Sequence, residues 1–460
     1  MAMGKRERKR QAEIWIATVD LPESKGHPFY GRLNQLLDKH GFDGFVEGLC
    51  ARFYHETIGR PSIAPGVYFR MLLIGFFEGI DSERGIAWRC SDSLGLREFL
   101  GYDLTQMTPD HSSLSRTRQR IDVDTHREVF TWVLKVVAVS GLLRGKTVGI
   151  DATTLEANTA MRSIVRRDSG QSYDGFLTDL AKSSGIETPT REDLAKVDKT
   201  RKNKASNQDW YNPHDPDARI TKMKDGTTHL AYKAEHAVDM EAGAVVAVTL
   251  QAADQGDTTT VHETLAAAGE QLLAVAQDPQ TASRIDEQLL AEVVNDKGYH
   301  SGPMLKVLAK MEIRSYVSEP LRRGRRNWDG KEEEREAVNA NRERIGSEYG
   351  KLLLRQRGEL VERSFAHNYE TGGMRRTYLR GRENILKRLL IHVGGFNLAL
   401  VMRNLHGIGK PRQVQGGPSP AILAFISRVR RAIGRLRRLL TGQTTPESTF
   451  GLTLCFRLAA

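Results

Sequence analysis

The sequence predicts an α/β fold in which a mixed sheet covered by helices follows an all-helical N-terminal unit. Between Tyr30 and Leu143, apolar residues recur at spacings of three and four, which is the period of an amphipathic helix. At Lys146 the pattern changes to short β-branched stretches that alternate with helical ones. We therefore expect a helical domain at residues 1–145, an α/β domain at residues 146–408 and a tail at residues 409–460.

The elements of the α/β domain can be predicted in order. A strand in KTVGIDATTLEAN precedes a polar insertion at about residues 160–228, which is followed by a hairpin around Glu241-Ala242-Gly243 and a helix in VHETLAAAGEQLLAVA. A strand in LLAEVVNDKGYHS, the helix PMLKVLAKM and a strand in IRSYVSEP then form a βαβ unit. A second polar insertion, at about residues 322–358, precedes the closing helices.

The stretch TPDHSSLSRTRQRI, near the end of the helical domain, is typical of a capped helix. Thr108 or Asp110 can accept hydrogen bonds from the free amides of its first turn. Three arginines follow on this helix: Arg116, Arg118 and Arg120. Such a helix is suited to lie against phosphates.

Composition favours a polyanionic partner. The chain has 68 Lys and Arg against 57 Asp and Glu, a net charge of +11, and a pI of about 9.5. Nucleic acid ranks ahead of membrane lipid, because the weakly polar stretch Ile391–Met402 is far shorter than the ~20 residues that a bilayer requires. Cys50, Cys90 and Cys455 form neither a CxxC pattern nor a disulfide framework, so we expect a reducing compartment, the cytoplasm.

Three carboxylates stand where a hard metal ion could bind. Asp151 lies in a mostly apolar strand, Asp296 lies where a strand runs into a turn at Gly298, and Glu362 lies on a helix with an apolar stripe. Taken singly, Asp151 fits a strand-end cap equally well, and Glu362 fits a solvated helix face better. Further carboxylates at strand or loop ends are rivals of the first ligand: Asp239, Asp254 and Asp257.

Two strands and a helix can together supply such a ligand set. Three carboxylates can hold two Mg²⁺ ions about 3.5 to 4 Å apart, one activating a water or 3′-hydroxyl and the other stabilising the leaving oxygen. Hard oxygen ligands suit Mg²⁺ or Mn²⁺. No HExxH or CxxC pattern supports zinc.

The same segments carry a family resemblance. IDATTLEAN, VVNDKGYHS and ELVERSFAHNYETGGMRRTYLRGRENILKRLLIHVGGFNLALVMR resemble the three acidic motifs of DDE transposases of bacterial insertion sequences, with the best fit to the broad IS4/IS5 group and its IS1182-like members. PDHSSLSRTRQRI resembles the end of the helical domain that precedes that core. The third motif departs from the group's pattern, because Gly358 and Tyr369 stand where arginine and lysine are expected, and Arg357, Arg363 and Arg375 could substitute for them.

The resemblance implies a ribonuclease-H-like catalytic core with Asp151, Asp296 and Glu362 as catalytic metal ligands, and Tyr299 as a DNA-contacting or structural residue. It implies binding of double-stranded DNA, namely the terminal inverted repeats and the target, followed by strand cleavage and strand transfer. Two element ends suit a homodimer or higher oligomer, and a bacterial protein of this kind is expected in the cytoplasm, at the nucleoid when bound to DNA.

Basic residues follow the third motif closely. Those that could neutralise phosphates are Arg363, Arg375, Arg376, Arg380, Arg382, Lys387 and Arg388, although a solvated face is the plain alternative. The tail segment AILAFISRVRRAIGRLRRLL is a basic amphipathic pattern suited to DNA or self-association. Trp210, Tyr211 and Trp328 lie in the polar insertions, where stacking on a base competes with simple packing against the core.

Two other functions remain open from the sequence. A ribonuclease-H-like nuclease without strand transfer would use the same metal chemistry. A non-catalytic DNA-binding protein derived from a transposase would explain the imperfect third motif.

Overall fold

The computed structural model describes residue 17 and residues 26–55, 58–59, 62–201, 205–223, 226–321 and 327–414. The basic tail segment predicted at residues 421–440 and Cys455 lie outside these residues. Within the described part, the N-terminal unit consists of seven α-helices: α1 (Pro28–Lys39), α2 (Phe42–Cys50), α3 (Pro65–Glu78), α4 (Glu83–Asp92), α5 (Leu94–Leu100), α6 (His111–Arg120) and α7 (Val123–Val139).

Short polar side chains begin several of these helices. Asp110 accepts a hydrogen bond from the Ser113 amide at 2.7 Å and so caps α6, as the sequence predicted. Asp122 caps α7 in the same way through the Thr125 amide. The buried faces of the helices meet in one apolar core, which continues into the α/β region.

A mixed sheet forms the centre of the α/β region. Its long strands are β1 (Thr147–Glu156), β5 (Thr228–Asp239) and β6 (Val245–Ala252), and the shorter ones are β4 (Arg219–Lys222), β7 (Glu292–Asn295) and β8 (Arg314–Val317). β5 lies antiparallel to β1, while β7 and β8 follow in parallel on its other side. β4 and β6 share the outer edge of β5. The predicted mixed sheet covered by helices is thus confirmed.

Helices cover both faces of this sheet. Asp151 and His236 are register partners on β1 and β5, so their side chains share one face, and that face contacts α13 (Glu348–Phe365). Glu235 points to the opposite face, where α10 (Asp257–Ala276) lies. Helix α11 (Gly302–Lys310) connects β7 to β8, and α12 (Glu332–Gly346) lies along the free edge of β8, where Asn341 bonds both backbone groups of Val317.

The long helix α14 (Arg382–His406) joins the helical unit to the sheet. The Asn397 side chain bonds the backbone of Val245 on β6 in both directions, at 2.9 and 2.8 Å. Gly395 lies so close to α3 that an added Cβ would be 2.6 Å from the Phe76 ring. The stretch Arg382–Val414 is long and apolar enough to cross a membrane, but 89% of its most apolar window is buried inside the protein, as in a core helix.

Both polar insertions hold more regular structure than the sequence predicted. The first contains α8 (Tyr173–Ser183), α9 (Arg191–Thr200) and a small sheet of β2 (Val165–Arg166) and β3 (Trp210–Tyr211). The second, from residue 332 onward, forms α12 and most of α13. Several of its apolar side chains, such as Val338 and Leu353, are buried, although the surrounding charges obscured them in the sequence.

Candidate active site

Asp151 and Asp296 lie side by side, Asp151 within β1 and Asp296 directly after the carboxyl end of the neighbouring strand β7. Ile150 on β1 pairs with Asn295 on β7 in parallel register, so the two carboxylates follow directly after paired residues. Asp296 begins a short 3₁₀ turn, Lys297–Tyr299, and its Oδ1 accepts a hydrogen bond from the Gly298 amide at 2.8 Å. The carboxyl ends of parallel strands are a common position for ligand sites.

The Asp151 carboxylate is held by two donors. Its Oδ1 accepts from the Ala152 amide and its Oδ2 from Arg357 Nη1, both at 2.8 Å. Burial raises the pKa of Asp151, and nearby Asp296 acts in the same direction, whereas the Arg357 guanidinium opposes the shift. The two carboxylates are therefore close enough to repel, which a shared cation would relieve.

Glu362 does not join this pair in the structure. Arg357 reaches Asp151, while Val361 lies against Gly149, so this face of α13 is turned to the sheet. Glu362 follows Arg357 by five residues, about 140° around the helix, and its side chain is exposed. Among the described residues, no three His, Cys, Asp or Glu side chains are grouped as a metal site.

The rival carboxylates differ in what occupies them. Asp239 is buried, and its oxygens accept four backbone amides, from Arg144, Gly145, Glu241 and Ala242. Asp254 lies 3.9 Å from Arg219. Asp257 bonds Lys233 Nζ at 2.5 Å and lies beside Gly298. Of the three, Asp257 alone approaches the turn of Asp296.

His236 and Tyr369 support the site through hydrogen bonds to each other and to α13, and not through bonds to the two carboxylates. Ser364 Oγ donates to the Val361 carbonyl, so His236 Nδ1 donates to Ser364 at 2.9 Å and His236 Nε2 accepts from the Tyr369 hydroxyl at 2.6 Å. Burial lowers the pKa of His236 to about 3, so its ring is neutral. Tyr369 lies in a π-helical turn, Ala366–Glu370, and fixes α13 against β5 instead of supplying the expected lysine.

The candidate DNA-binding residues divide into exposed and buried groups. Of the three arginines of α6, Arg116 and Arg120 are exposed, whereas Arg118 is only 8% exposed and bonds Glu83 and Asn384. Lys387 is also buried, bonded to Glu383 and to the Arg118 carbonyl. These two cations hold α6 against α14, so we omit them from the proposed DNA surface.

A basic loop lies beside the carboxyl end of β1. The Glu156 amide donates to the Arg375 carbonyl, and the Thr377 amide donates to the Glu156 carbonyl, so the loop extends along the end of β1. Arg375 Nη1 also reaches Thr153, two residues beyond Asp151, at 3.3 Å. The exposed arginines of this loop and of the start of α14 are Arg375, Arg376, Arg380 and Arg382. Arg363, on α13, is half-buried and pairs with Glu359.

The four aromatic residues considered for contact with DNA have other surroundings. Tyr299 is fully buried. Trp210 is 3% exposed and contacts the rings of Tyr173 and Phe176 at 5.2 and 5.3 Å, so it forms the core of the inserted unit. Trp328 packs against the main core, and Tyr211 lies beneath the Arg167 guanidinium. Packing explains Trp210 and Trp328, as the sequence favoured.

Comparison with known proteins bears on the helical unit. Residues 19–120 match a family model described as a transposase domain (DUF772). The matched segment includes α1 to α6. No curated protein matches the chain. The domain match supports a transposase, and with it an interaction with DNA and a DNA-processing activity in general.

Proposed function

We propose that the chain is a metal-dependent transposase of the DDE type, which binds the ends of its insertion element, cleaves DNA strands and transfers them to a target. The observation that carries this proposal is the adjacency of Asp151, within β1, and Asp296, at the carboxyl end of β7, in a chain whose N-terminal unit matches a transposase domain. A ribonuclease-H-like core belongs to the same proposal. Its support is the sheet with an antiparallel hairpin on one side of β1 and two parallel strands on the other.

Asp151 and Asp296 fit the proposed metal ions. Both are hard oxygen donors on the neighbouring strands β1 and β7. The raised pKa of Asp151 indicates a charge that its surroundings compensate only in part. Two bound Mg²⁺ ions would activate a water or 3′-hydroxyl and stabilise the leaving oxygen. Glu362 is proposed as the third ligand on the resemblance alone, because its exposed position on α13 gives no support of its own.

The chain's own residues then have separate tasks. Asp296 accepts a hydrogen bond from the Gly298 amide of its own turn and Asp151 accepts one from the Ala152 amide, and these bonds fix the orientation of both carboxylates. Arg357 shares Asp151 Oδ2 and would balance negative charge there. The basic loop, Arg375 to Arg382, lies next to the half of β1 that follows Asp151 and would bind phosphates there. Arg116 and Arg120 extend the basic surface onto α6.

The test is cleavage and joining of a plasmid that carries the DNA flanking the chain's own gene. We expect Asp151→Asn and Asp296→Asn to abolish Mg²⁺-dependent cleavage and strand transfer while DNA binding at fixed salt is retained. Glu362→Gln should behave alike, whereas Glu348→Gln, an exposed glutamate on the same helix, should remain active. Cleavage by the Asp151 or Asp296 variant would overturn the proposal; cleavage by the Glu362 variant alone would remove that residue from it.

A non-catalytic DNA-binding protein is the second candidate, and one observation favours it. Arg357 already occupies Asp151 Oδ2, and Glu362 is turned to solvent, so the metal set is incomplete in this conformation. This candidate predicts a salt-sensitive DNA complex with no Mg²⁺-dependent cleavage by the wild-type chain. A wild-type protein that cleaves without joining would instead be a nuclease.

A further inference from the structure

A buried polar network lies on the opposite face of the sheet, directly behind the turn of Asp296. Its centre is Glu235, which is fully buried. Its carboxylate accepts hydrogen bonds from the hydroxyls of Tyr299 at 2.7 Å, Thr260 at 3.0 Å and Thr264 at 2.5 Å. Tyr299 is the last residue of the turn that Asp296 begins, so the network contacts this turn directly.

Lys233 gives the turn a second point of support. Its Nζ bonds Asp257 at 2.5 Å and Thr260 at 2.8 Å, and it lies 3.9 Å from Glu235. Asp257 in turn lies against Gly298: an added Cβ there would be 2.5 Å from Asp257 Oδ2 and 3.0 Å from Asp296 Oδ1. Asp257 thus contacts the turn at Gly298 and Glu235 contacts it at Tyr299, while Lys233 lies between these two carboxylates, of which Asp257 is partly exposed.

The position of Glu235 in β5 ties this network to both carboxylates. Glu235 pairs with Ala152, and the next residue, His236, pairs with Asp151. Consecutive strand residues point to opposite faces, so one dipeptide supports the Asp296 turn on one face and lies next to Asp151 on the other. Apolar residues of similar volume are often as stable as a buried ion pair, so packing alone does not require this network.

We infer that Tyr299, Glu235 and Lys233 are positioning residues, which hold Asp296 in the orientation that binds metal. The inference rests on the proposed function, because it concerns the same site. Partners of metal ligands typically contribute 10- to 100-fold in metal affinity, and a backbone turn held from behind would contribute in the same way.

The experiment compares Tyr299→Phe with Tyr30→Phe in the full chain. Tyr30 is equally buried and donates to the Glu78 carboxylate at 2.9 Å, but it lies in the helical unit. The dissociation constant for Mn²⁺ is measured by electron paramagnetic resonance, at a temperature where both variants are folded. We expect a rise of about tenfold in Tyr299→Phe and no change in Tyr30→Phe. Wild-type affinity in Tyr299→Phe, with binding lost in Asp296→Asn, would overturn the inference.

A second measurement needs no metal and separates this inference from the proposed function. The Gly298 amide donates to Asp296, so its hydrogen exchange reports how firmly the turn is held. In metal-free protein we expect exchange about fivefold faster in Tyr299→Phe, and unchanged in Tyr30→Phe. If wild-type protein binds no Mn²⁺, the proposed function fails, while this exchange still decides the positioning role: equal rates would reject it.

Where cleavage is measurable, the positioning role predicts a split between two parameters. The Mg²⁺ concentration for half-maximal cleavage should rise in Tyr299→Phe, with the rate at saturating Mg²⁺ nearly kept. Glu235→Gln retains an oxygen for the Tyr299 hydroxyl and should recover part of the affinity that Glu235→Ala loses. Equal half-saturation in wild type and Tyr299→Phe would contradict the role.

Discussion

Asp239 lies on β5 and Asp151 on the paired strand β1, and burial raises the pKa of both. The two carboxylates nevertheless differ in the hydrogen bonds that they accept. Asp239 is 1% exposed and accepts four backbone amides. The Asp151 side chain is 24% exposed and accepts one amide and one guanidinium. The direction of a pKa shift thus does not separate a structural carboxylate from a candidate ligand. The two kinds of carboxylate are separated by how many hydrogen bonds their oxygens already accept: four at Asp239 and two at Asp151.

The largest expected effect is on Asp239. Asp239→Asn replaces two accepting lone-pair sites with an amide nitrogen that faces backbone donors. The free energy of unfolding at neutral pH should fall by about 3 kcal/mol or more, because at least two buried amides lose their partner. Urea unfolding measures this. Asp254→Asn, with a distant and partly exposed ion pair, should change it by less than about 0.5 kcal/mol. A small loss at Asp239 would erase the contrast.

The next effect concerns His236, the register partner of Asp151. Its pKa in the fold is about 3, below its ordinary 6.5, so the unfolded chain takes up the proton first as the pH falls. The neutral His236 therefore contributes to the free energy of unfolding fully above pH 6.5, and this contribution falls by about 1.4 kcal/mol per pH unit toward pH 3. His236→Gln should flatten the dependence of the unfolding free energy on pH by nearly one proton between pH 6 and about 4. An unchanged pH dependence in His236→Gln would contradict the neutral, buried state of this ring.

Asp151 should matter little for stability. Asp151→Asn retains an oxygen for Arg357, and the pair lies near the surface, so the unfolding free energy should fall by no more than about 1 kcal/mol. The same variant should lose Mn²⁺ binding. A loss of stability as large as that of Asp239→Asn would make Asp151 a structural residue.

The smallest effect extends the contrast to cations. Arg118 and Lys387 are engaged inside the protein, whereas Arg376 and Arg380 are exposed beside β1. Arg376→Gln and Arg380→Gln should each lower the slope of log affinity for DNA against log salt by about 1. Arg342→Gln on α12, which removes a surface pair with Glu319, is the control and should not change it. Unchanged slopes would move the DNA surface away from the loop.

Local sequence signals predicted the framework well. The Asp110 cap, the hairpin of β5 and β6, and the β7–α11–β8 unit all follow from short-range periodicity and turn chemistry. The adjacency of Asp151 and Asp296 agrees with the expectation that the first lies in an apolar strand and the second where a strand runs into a turn. That agreement required the parallel register of β1 and β7, which no local pattern encodes.

Long-range contacts explain what the sequence left open. Arg357, one of three arginines that could substitute for the missing residues of the third motif, lies in a charged stretch, and it reaches Asp151 across 206 positions. Arg118 and Lys387 counted as DNA contacts because a charge is ordinarily exposed, and their burial depends on the packing of α6 against α14. Glu235 gave no signal of its own, because its partners come from three separate segments.

The attachment of α14 to both halves of the molecule has a geometric consequence. This helix bonds β6 through Asn397 and packs against Phe76 of α3, so the helical unit cannot swing without exposing buried apolar surface. A duplex lying along α6 would therefore lie at a fixed distance from Asp151 and Asp296. The number of base pairs between the recognised and the cut positions would then be set by the distance between α6 and these two carboxylates within the protein.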